Sequence, residues 1–211
     1  MPTVFSHTVA ATALGQWYVP AEASAKAGPQ RSVPLRFWIW TVFCAMLPDV
    51  DVIGFSLGIS YDDILGHRGL THSFVFAALV GAIAAAQCQI PNPKSQTPNP
   101  KRLGLFVYFI LIAASHGVLD AFTNGGRGIA FLAPFSNARF FFPWRPIQVS
   151  PIGVRFFSGR GVDVLLSELR WIWVPSAIIA AAARLVRKYT SSSRSSQITD
   201  RHDVKTGVRP Q

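Results

Sequence analysis

Charge is what this chain has least of, and acidic charge least of all. Ten Asp and Glu stand among 211 residues against 20 Lys and Arg, and charged residues of both signs make up only 14%. Soluble domains carry about 25%. Half of the residues are hydrophobic and the mean hydropathy is +0.30. That balance excludes an ordinary soluble domain and points to a membrane protein. Cysteine is nearly absent. Cys44 and Cys88 each lie inside an apolar run and form no CxxC pair, which excludes a disulfide framework or a thiolate zinc site. Both read as small buried hydrophobes. No basic residue precedes Lys26, so the positive start of a secretory signal is missing. A continuous basic face is missing too. The net charge of +10 comes from residues scattered between apolar runs and gathered near the C-terminus. Such charges flank membrane segments, and no nucleic-acid partner is expected.

What the chain does have is long runs without charge. A bilayer crossing needs about 20 apolar residues. Segment 73–93 carries no charge and is the clearest span, with Thr71 as its predicted N-cap. Segment 103–121 is the second, although it holds His116 and Asp120. Segment 171–186 is shorter, with Arg170 and Arg184 snorkelling at its ends and Trp171 and Trp173 suited to an interfacial belt. Segments 3–19 and 37–47 complete a count of about five, and Pro48 is expected to end the helix of 37–47. The fold class is therefore all-α, an integral membrane helical bundle.

The connections are distinct. Residues 20–36 are rich in Ala, Pro and Gly, and 91–102 (PNPKSQTPNPKR) form an exposed turn region. Connection 122–170 is aromatic-rich and too long for a plain loop. It is expected to lie over one mouth of the bundle with interfacial or short helical structure. Residues 1–189 form one membrane-embedded domain, and 190–211 read as a disordered basic tail. Lys26, Arg31, Arg36, Lys94, Lys101 and Arg102, with the basic residues after 186, put 20–36, 91–102 and the tail in the cytoplasm. The N-terminus, loop 48–71 and connection 122–170 then face the other side.

Against so apolar a background the ionisable residues stand out. His7 lies near the start of the first helix, Asp49 and Asp51 (LPDVD) follow the second, and His67 and His72 (HRGLTHS) precede the third. His116 and Asp120 lie towards the end of the fourth. In an alternating bundle, starts of odd helices and ends of even helices share one membrane face, so all seven converge at one mouth. His116 and Asp120 are four apart and share a helical face. A charged residue inside an apolar helix is costly unless it faces the interior or an ion. Imidazole with carboxylate suits zinc, manganese or iron. Of Asp49 and Asp51, either is a ligand while the other orients a histidine or acts as base. Gly69 lets the chain turn, so His67 and His72 need not share a face, and Arg68 is placed to meet a substrate phosphate. Asp62 and Asp63 read as solvated loop charges, and His202 takes no role. TNGGRG (123–128) is a loose likeness of a phosphate-cradling loop, with no strand before it.

An early histidine, LPDVD, HRGLTHS, HGVLDAFTNGG, APFSN and FFFPWRPI together resemble the YdjM-type family of bacterial inner-membrane, metal-dependent hydrolases, some under LexA control. The resemblance spans roughly residues 1–150 and implies the bacterial inner membrane. The order His, Asp, His, HxxxD is more distantly similar to the zinc-dependent phospholipase C and single-strand nuclease superfamily, which is all-helical. That resemblance implies His7, Asp49 or Asp51, His67 or His72, His116 and Asp120 as metal ligands. Downstream only His202 follows, in the tail, so it implies one or two zinc ions.

The expected function is a membrane-bound, metal-dependent hydrolase that cleaves a phosphoester of a lipid or lipid-linked substrate with metal-activated water. Asp49 or Asp51 would take the proton, and Arg68, with Arg127, would offset phosphate charge. The bilayer itself is the other partner, and the site is expected on the non-cytoplasmic face. Two other classes use the same residues: a membrane metal-ion transporter, which places ligands near the midplane, and a non-catalytic protein stapled by its metal.

Overall fold

The computed structural model describes residues 1–18, 34–88, 100–151, 156–157 and 159–189. The sequence expectations for most of 20–36 and 91–102, and for the tail 190–211, lie outside these residues.

Among the described residues there are five long helices and no β-strand, only two single-residue bridges. Helix α1 is Val4–Tyr18. Helix α2 runs over Leu35–Ser56 and is α-helical to Met46. Helices α3 and α4 are Phe74–Cys88 and Pro100–Ala121, and α5 is Gly159–Tyr189. α2, α5 and the Leu103–Ala121 part of α4 are long and apolar enough to cross a membrane.

The run 73–93 is helical over Phe74–Cys88, and its residues 89–93 lie outside the described ones. One face of the helix, Ala77, Val80, Gly81, Ala84 and Ala85, is buried in the bundle, while Phe74, Val75, Leu79 and Ile83 are exposed. Segment 171–186 is instead part of the longest helix, 31 residues from Gly159. The α-helical part of α2 ends at Met46, before Pro48 as expected, but the chain stays helical: Leu47–Val52 tightens into a 3₁₀ turn with the proline in its first positions. The helix then resumes over Ile53–Ser56.

Small residues let the helices approach closely, as membrane interfaces without a hydrophobic driving force require. A Cβ on Gly81 would meet the backbone and side chain of Ile110 in α4 at 2.7 Å. Gly81→Leu should therefore push α3 from α4 and cost roughly 1–3 kcal/mol, seen as a lower melting temperature in detergent. An unchanged melt would show that this contact is dispensable. The buried centre between α2, α3 and α4 is filled by Phe37, Cys44, Phe109 and Ile112. Tyr108 stacks on Phe37 with ring centroids 5.0 Å apart and exchanges a 2.9 Å hydroxyl hydrogen bond with Thr41. Cys44 is fully buried; Cys88 is partly so, and both thiols are free.

The long connection covers one end of the bundle. Of its described residues, 159–170 are helical, as expected, while 122–151 hold no helix and are pinned through their backbone instead. Phe74 N–H donates to Phe131 O, Ala130 N–H to Arg68 O, Phe142 N–H to Ala121 O, and Ser150 N–H to Met1 O. These bonds bring the start of α1, the turn after α2, the loop before α3 and the end of α4 under one cover.

Candidate metal centre

Each side chain of the centre comes from the end of a helix at that covered mouth. His7 sits on the first turns of α1, and Asp49 and Asp51 on the 3₁₀ turn of α2. His67 and His72 come from the loop before α3, which ends in a single 3₁₀ turn at Leu70–His72. His116 and Asp120 come from the last turns of α4. Gly117 lets that helix approach: a Cβ there would lie 3.0 Å from His72 O.

The structure brings all seven residues together, but in two groups. Ligand atoms of Asp49, His72, His116 and Asp120 all lie within 4.8 Å of one another. His116 Nε2 is 3.2 Å from Asp49 Oδ1, and His72 Nε2 is 3.7 Å from it and 3.6 Å from Asp120 Oδ2. His7 joins this group from the side. Its Nε2 is 3.6 Å from Asp120 Oδ1, and its ring stacks on His116 at 3.7 Å. The second group is Asp51, His67 and His72, with His72 shared.

The two groups differ in what is left over. Asp51 is saturated. It accepts from His67 Nδ1–H at 2.6 Å, from the Thr71 hydroxyl at 2.6 Å and from the Arg68 backbone N–H at 3.1 Å, with His72 Nδ1 3.2 Å away. In the first group, both ring nitrogens of His7, Asp49 Oδ2, His72 Nε2 and both Asp120 oxygens are buried without a hydrogen-bond partner. Buried polar atoms are almost always paired. Six atoms without a hydrogen bond, of which Asp120 Oδ2 is ion-paired to Arg68, make this group a candidate cation position. His116 is aimed at it by its other nitrogen, since Nδ1–H donates to Ala45 O at 2.7 Å and leaves Nε2 as an acceptor.

Charge gives the same answer. The side chains of Asp49, Asp51 and Asp120 are each at most 6% exposed, and among the described residues Arg68 is the one guanidinium buried with them. The Met1 amino group is pushed down to about 6 by burial, against the pull of Asp120, and is mostly neutral at pH 7. With His72 neutral, two negative charges are left over, and buried charge is expensive when uncompensated. His72 can supply one positive charge itself: burial alone would lower its pKa, but Asp120, Asp49 and Asp51 raise it to about 10, so without another cation it holds a proton.

Arg68 is placed differently from the sequence expectation. It has φ +64, the left-handed region that non-glycine residues rarely occupy, and is only 1% exposed. Its Nε lies 2.9 Å from Asp120 Oδ2, one Nη donates to Gly125 O at 2.9 Å and the other to Thr123 Oγ1 at 3.1 Å. These partners and its burial turn the guanidinium inward, away from any open position for a substrate phosphate. TNGGRG thus cradles a guanidinium: Gly126, at φ +87, lies so close that a Cβ would meet Arg68 Nη1 at 2.5 Å. Arg127 stands outside, exposed and paired with Asp62. Asp62 is therefore ion-paired, not simply solvated. Arg139 ties the loop down from above through His67 O and Tyr61 O.

Two participants were not singled out from the sequence. Thr71 does not cap α3; Ser73 does, accepting from Phe76 N–H at 3.1 Å, and Thr71 serves Asp51 instead. Glu168, fully buried in α5, accepts hydrogen bonds from Thr3 Oγ1 at 2.6 Å and Ser6 Oγ at 2.7 Å, and so fixes the start of the helix that carries His7. Its signal was its rarity, one of two glutamates in the chain.

A helical bundle with three helices long and apolar enough to cross a membrane, and a buried His/Asp cluster at one end, defines an integral membrane protein with a candidate metal site. The chain belongs to the YdjM inner membrane protein family, whose profile matches residues 1–192. It is 34% identical over 180 residues to inner membrane protein YbcI of Escherichia coli (strain K12), covering 85% of this chain and 95% of that protein. No solved structure matches it.

Proposed function

We propose that the chain is a membrane-bound, metal-dependent hydrolase of phosphoesters, holding one divalent ion. The observation that carries this reading is the set of six buried atoms without a hydrogen bond, in a cluster left with two negative charges when His72 is neutral, at the membrane surface. Asp49, His72, His116 and Asp120 would hold the ion, with His7 beside them, and this imidazole–carboxylate mixture favours zinc. A bound zinc would lower the pKa of a water and polarise a phosphoryl oxygen. Asp51 and Thr71 fix the ring of His72, and Arg68 fixes Asp120. Of the two aspartates, Asp49 keeps an unpaired oxygen and takes the proton from the attacking water. The likeness of the His/Asp order to zinc-dependent phospholipase C supports the same chemistry. Ligands at helix ends, not at the midplane, favour hydrolysis over transport.

We assign the mouth to the non-cytoplasmic side. The opposite helix ends and their linkers carry Lys26, Arg31, Arg36, Lys94, Lys101, Arg102, Arg184, Arg187 and Lys188, against Arg68, Arg127, Arg139, Arg145, Arg155, Arg160 and Arg170 in the mouth-side sequence.

Metal content by mass spectrometry, on detergent-purified wild type and His116→Ala, tests the reading together with assays on phosphodiesters and phospholipids. The expected result is about one equivalent of transition metal and metal-dependent cleavage, both lost in the variant. Metal uptake into vesicles without cleavage, or a metal-free wild type purified without chelator, would overturn it.

A further inference from the structure

The centre is covered from the water side by connection 122–151, yet one of its residues meets the lipid side. A groove of about 860 Å³ runs along α2 and is lined by Val4, Trp38, Ile39, Val42, Met46 and Val50 among other apolar residues, with Asp49 as its only charged group. Its volume falls in the range of ligand sites. Asp49 is 9% exposed, more than His7, His72, His116 or Asp120, none of which lines the groove. From Leu35 to Met46 the groove wall follows helix α2, about 17 Å at 1.5 Å per residue. It lies along the direction in which lipid chains lie, and it ends where the metal centre begins.

The geometry points to the α2 groove as the seat of the hydrocarbon chain of a membrane phospholipid, which reaches the centre sideways from the bilayer with its phosphate at Asp49. This rests on the hydrolase reading for the fate of the phosphate, and not for the binding of the chain. The occupant is an amphiphile because the groove is one: apolar along its length and continuous with a cation-binding cluster at one end. A soluble phosphoester would leave the apolar wall unused. A second groove, of about 570 Å³, is lined by Leu14, Trp17, Leu103, Val107 and Leu111 and holds no residue of the centre. It is the internal control.

The test uses the full chain reconstituted in phosphatidylethanolamine–phosphatidylglycerol vesicles, as wild type, Val42→Trp, Ile39→Trp and Val107→Trp. Ile39 is largely exposed, so its replacement spares the packing. Three quantities are read: metal per chain, phospholipid retained per chain by native mass spectrometry, and hydrolysis of long-chain phospholipid against water-soluble bis(p-nitrophenyl) phosphate. The two groove variants should keep their metal and their cleavage of the soluble diester within about twofold. They should lose long-chain hydrolysis and retained lipid by about tenfold or more, the scale at which apolar pockets discriminate. Val107→Trp should match wild type. Unchanged long-chain hydrolysis in Ile39→Trp overturns the proposal. If wild type cleaves neither substrate, the hydrolase reading fails and retained lipid decides alone: loss in the α2 variants only upholds the groove, and equal retention in all four proteins overturns it.

Discussion

Asp120→Ala should strip the protein of its metal and destabilise it at the same time. The two effects have separate causes. Both Asp120 oxygens are buried without a hydrogen bond, Oδ2 held only in the ion pair with Arg68, at the point where His7 and His72 converge on them at 3.6 Å. Removing the carboxylate removes a ligand and one of the carboxylate charges that draw the ion, so metal content should fall to background. Hydrolysis should fall with it. The same carboxylate is the charged partner of Arg68, with 1% and 0% of the two side chains exposed. Stranding a buried guanidinium costs roughly 3–5 kcal/mol, a fall in melting temperature on the order of 10 °C for a chain of this size. A double variant, Asp120→Ala with Arg68→Met, separates the causes. It should recover most of the melting temperature, because no charge is stranded, and none of the metal. Metal retained in Asp120→Ala would sink the ligand assignment. An unchanged melt would mean that Arg68 finds other partners in Thr123 and Gly125.

How much of this was legible beforehand depended on the kind of signal. The all-helical membrane fold was legible because apolar runs are a one-dimensional property of the chain. So was the meeting of His7, Asp49, Asp51, His67, His72, His116 and Asp120. Their places at the starts of odd helices and the ends of even ones put them on one face whatever the helix lengths. Helix lengths themselves were less legible. Gly159, Arg160, Asp163 and Glu168 hide the first half of α5 from a hydropathy reading, yet that half is helical, and Glu168 is buried there against Thr3 and Ser6. The run after His72 reads as uniformly apolar, and its hydropathy does not show which face packs: the small residues Ala77, Gly81, Ala84 and Ala85 are the ones buried, because they allow close helix contact. Arg68 was not legible at all. Its direction is set by a left-handed φ and by partners more than 50 residues away, Thr123 and Gly125, neither of which leaves a mark at position 68.

The pairs Asp49/Asp51 and His67/His72 were indistinguishable in sequence, and they should separate sharply in experiment. Asp49→Asn should abolish metal binding and hydrolysis, since Asp49 lies within 4.8 Å of the ligand atoms of His72, His116 and Asp120 and keeps Oδ2 unpaired. Asp51→Asn should keep the metal at reduced affinity. Asp51 touches the centre only through what it orients, the Nδ1 side of His72, and through His67, Thr71 and the Arg68 backbone. Partners of that kind are worth about 10- to 100-fold in metal affinity. The histidines should divide in the same way. His72→Ala should behave like Asp49→Asn, and His67→Ala like Asp51→Asn, because His67 spends its Nδ1–H on Asp51 and reaches the first group only through it. Competition with a graded series of chelators measures all four variants on one scale. If Asp51→Asn and His67→Ala lose the metal as completely as Asp49→Asn and His72→Ala, the second group is itself a metal position. Asp51 and His67 would then belong to a second ion position beside His72, and the one-ion charge balance would be wrong. If instead Asp49→Asn retains the ion while Asp51→Asn loses it, the unpaired oxygen of Asp49 serves only as the base.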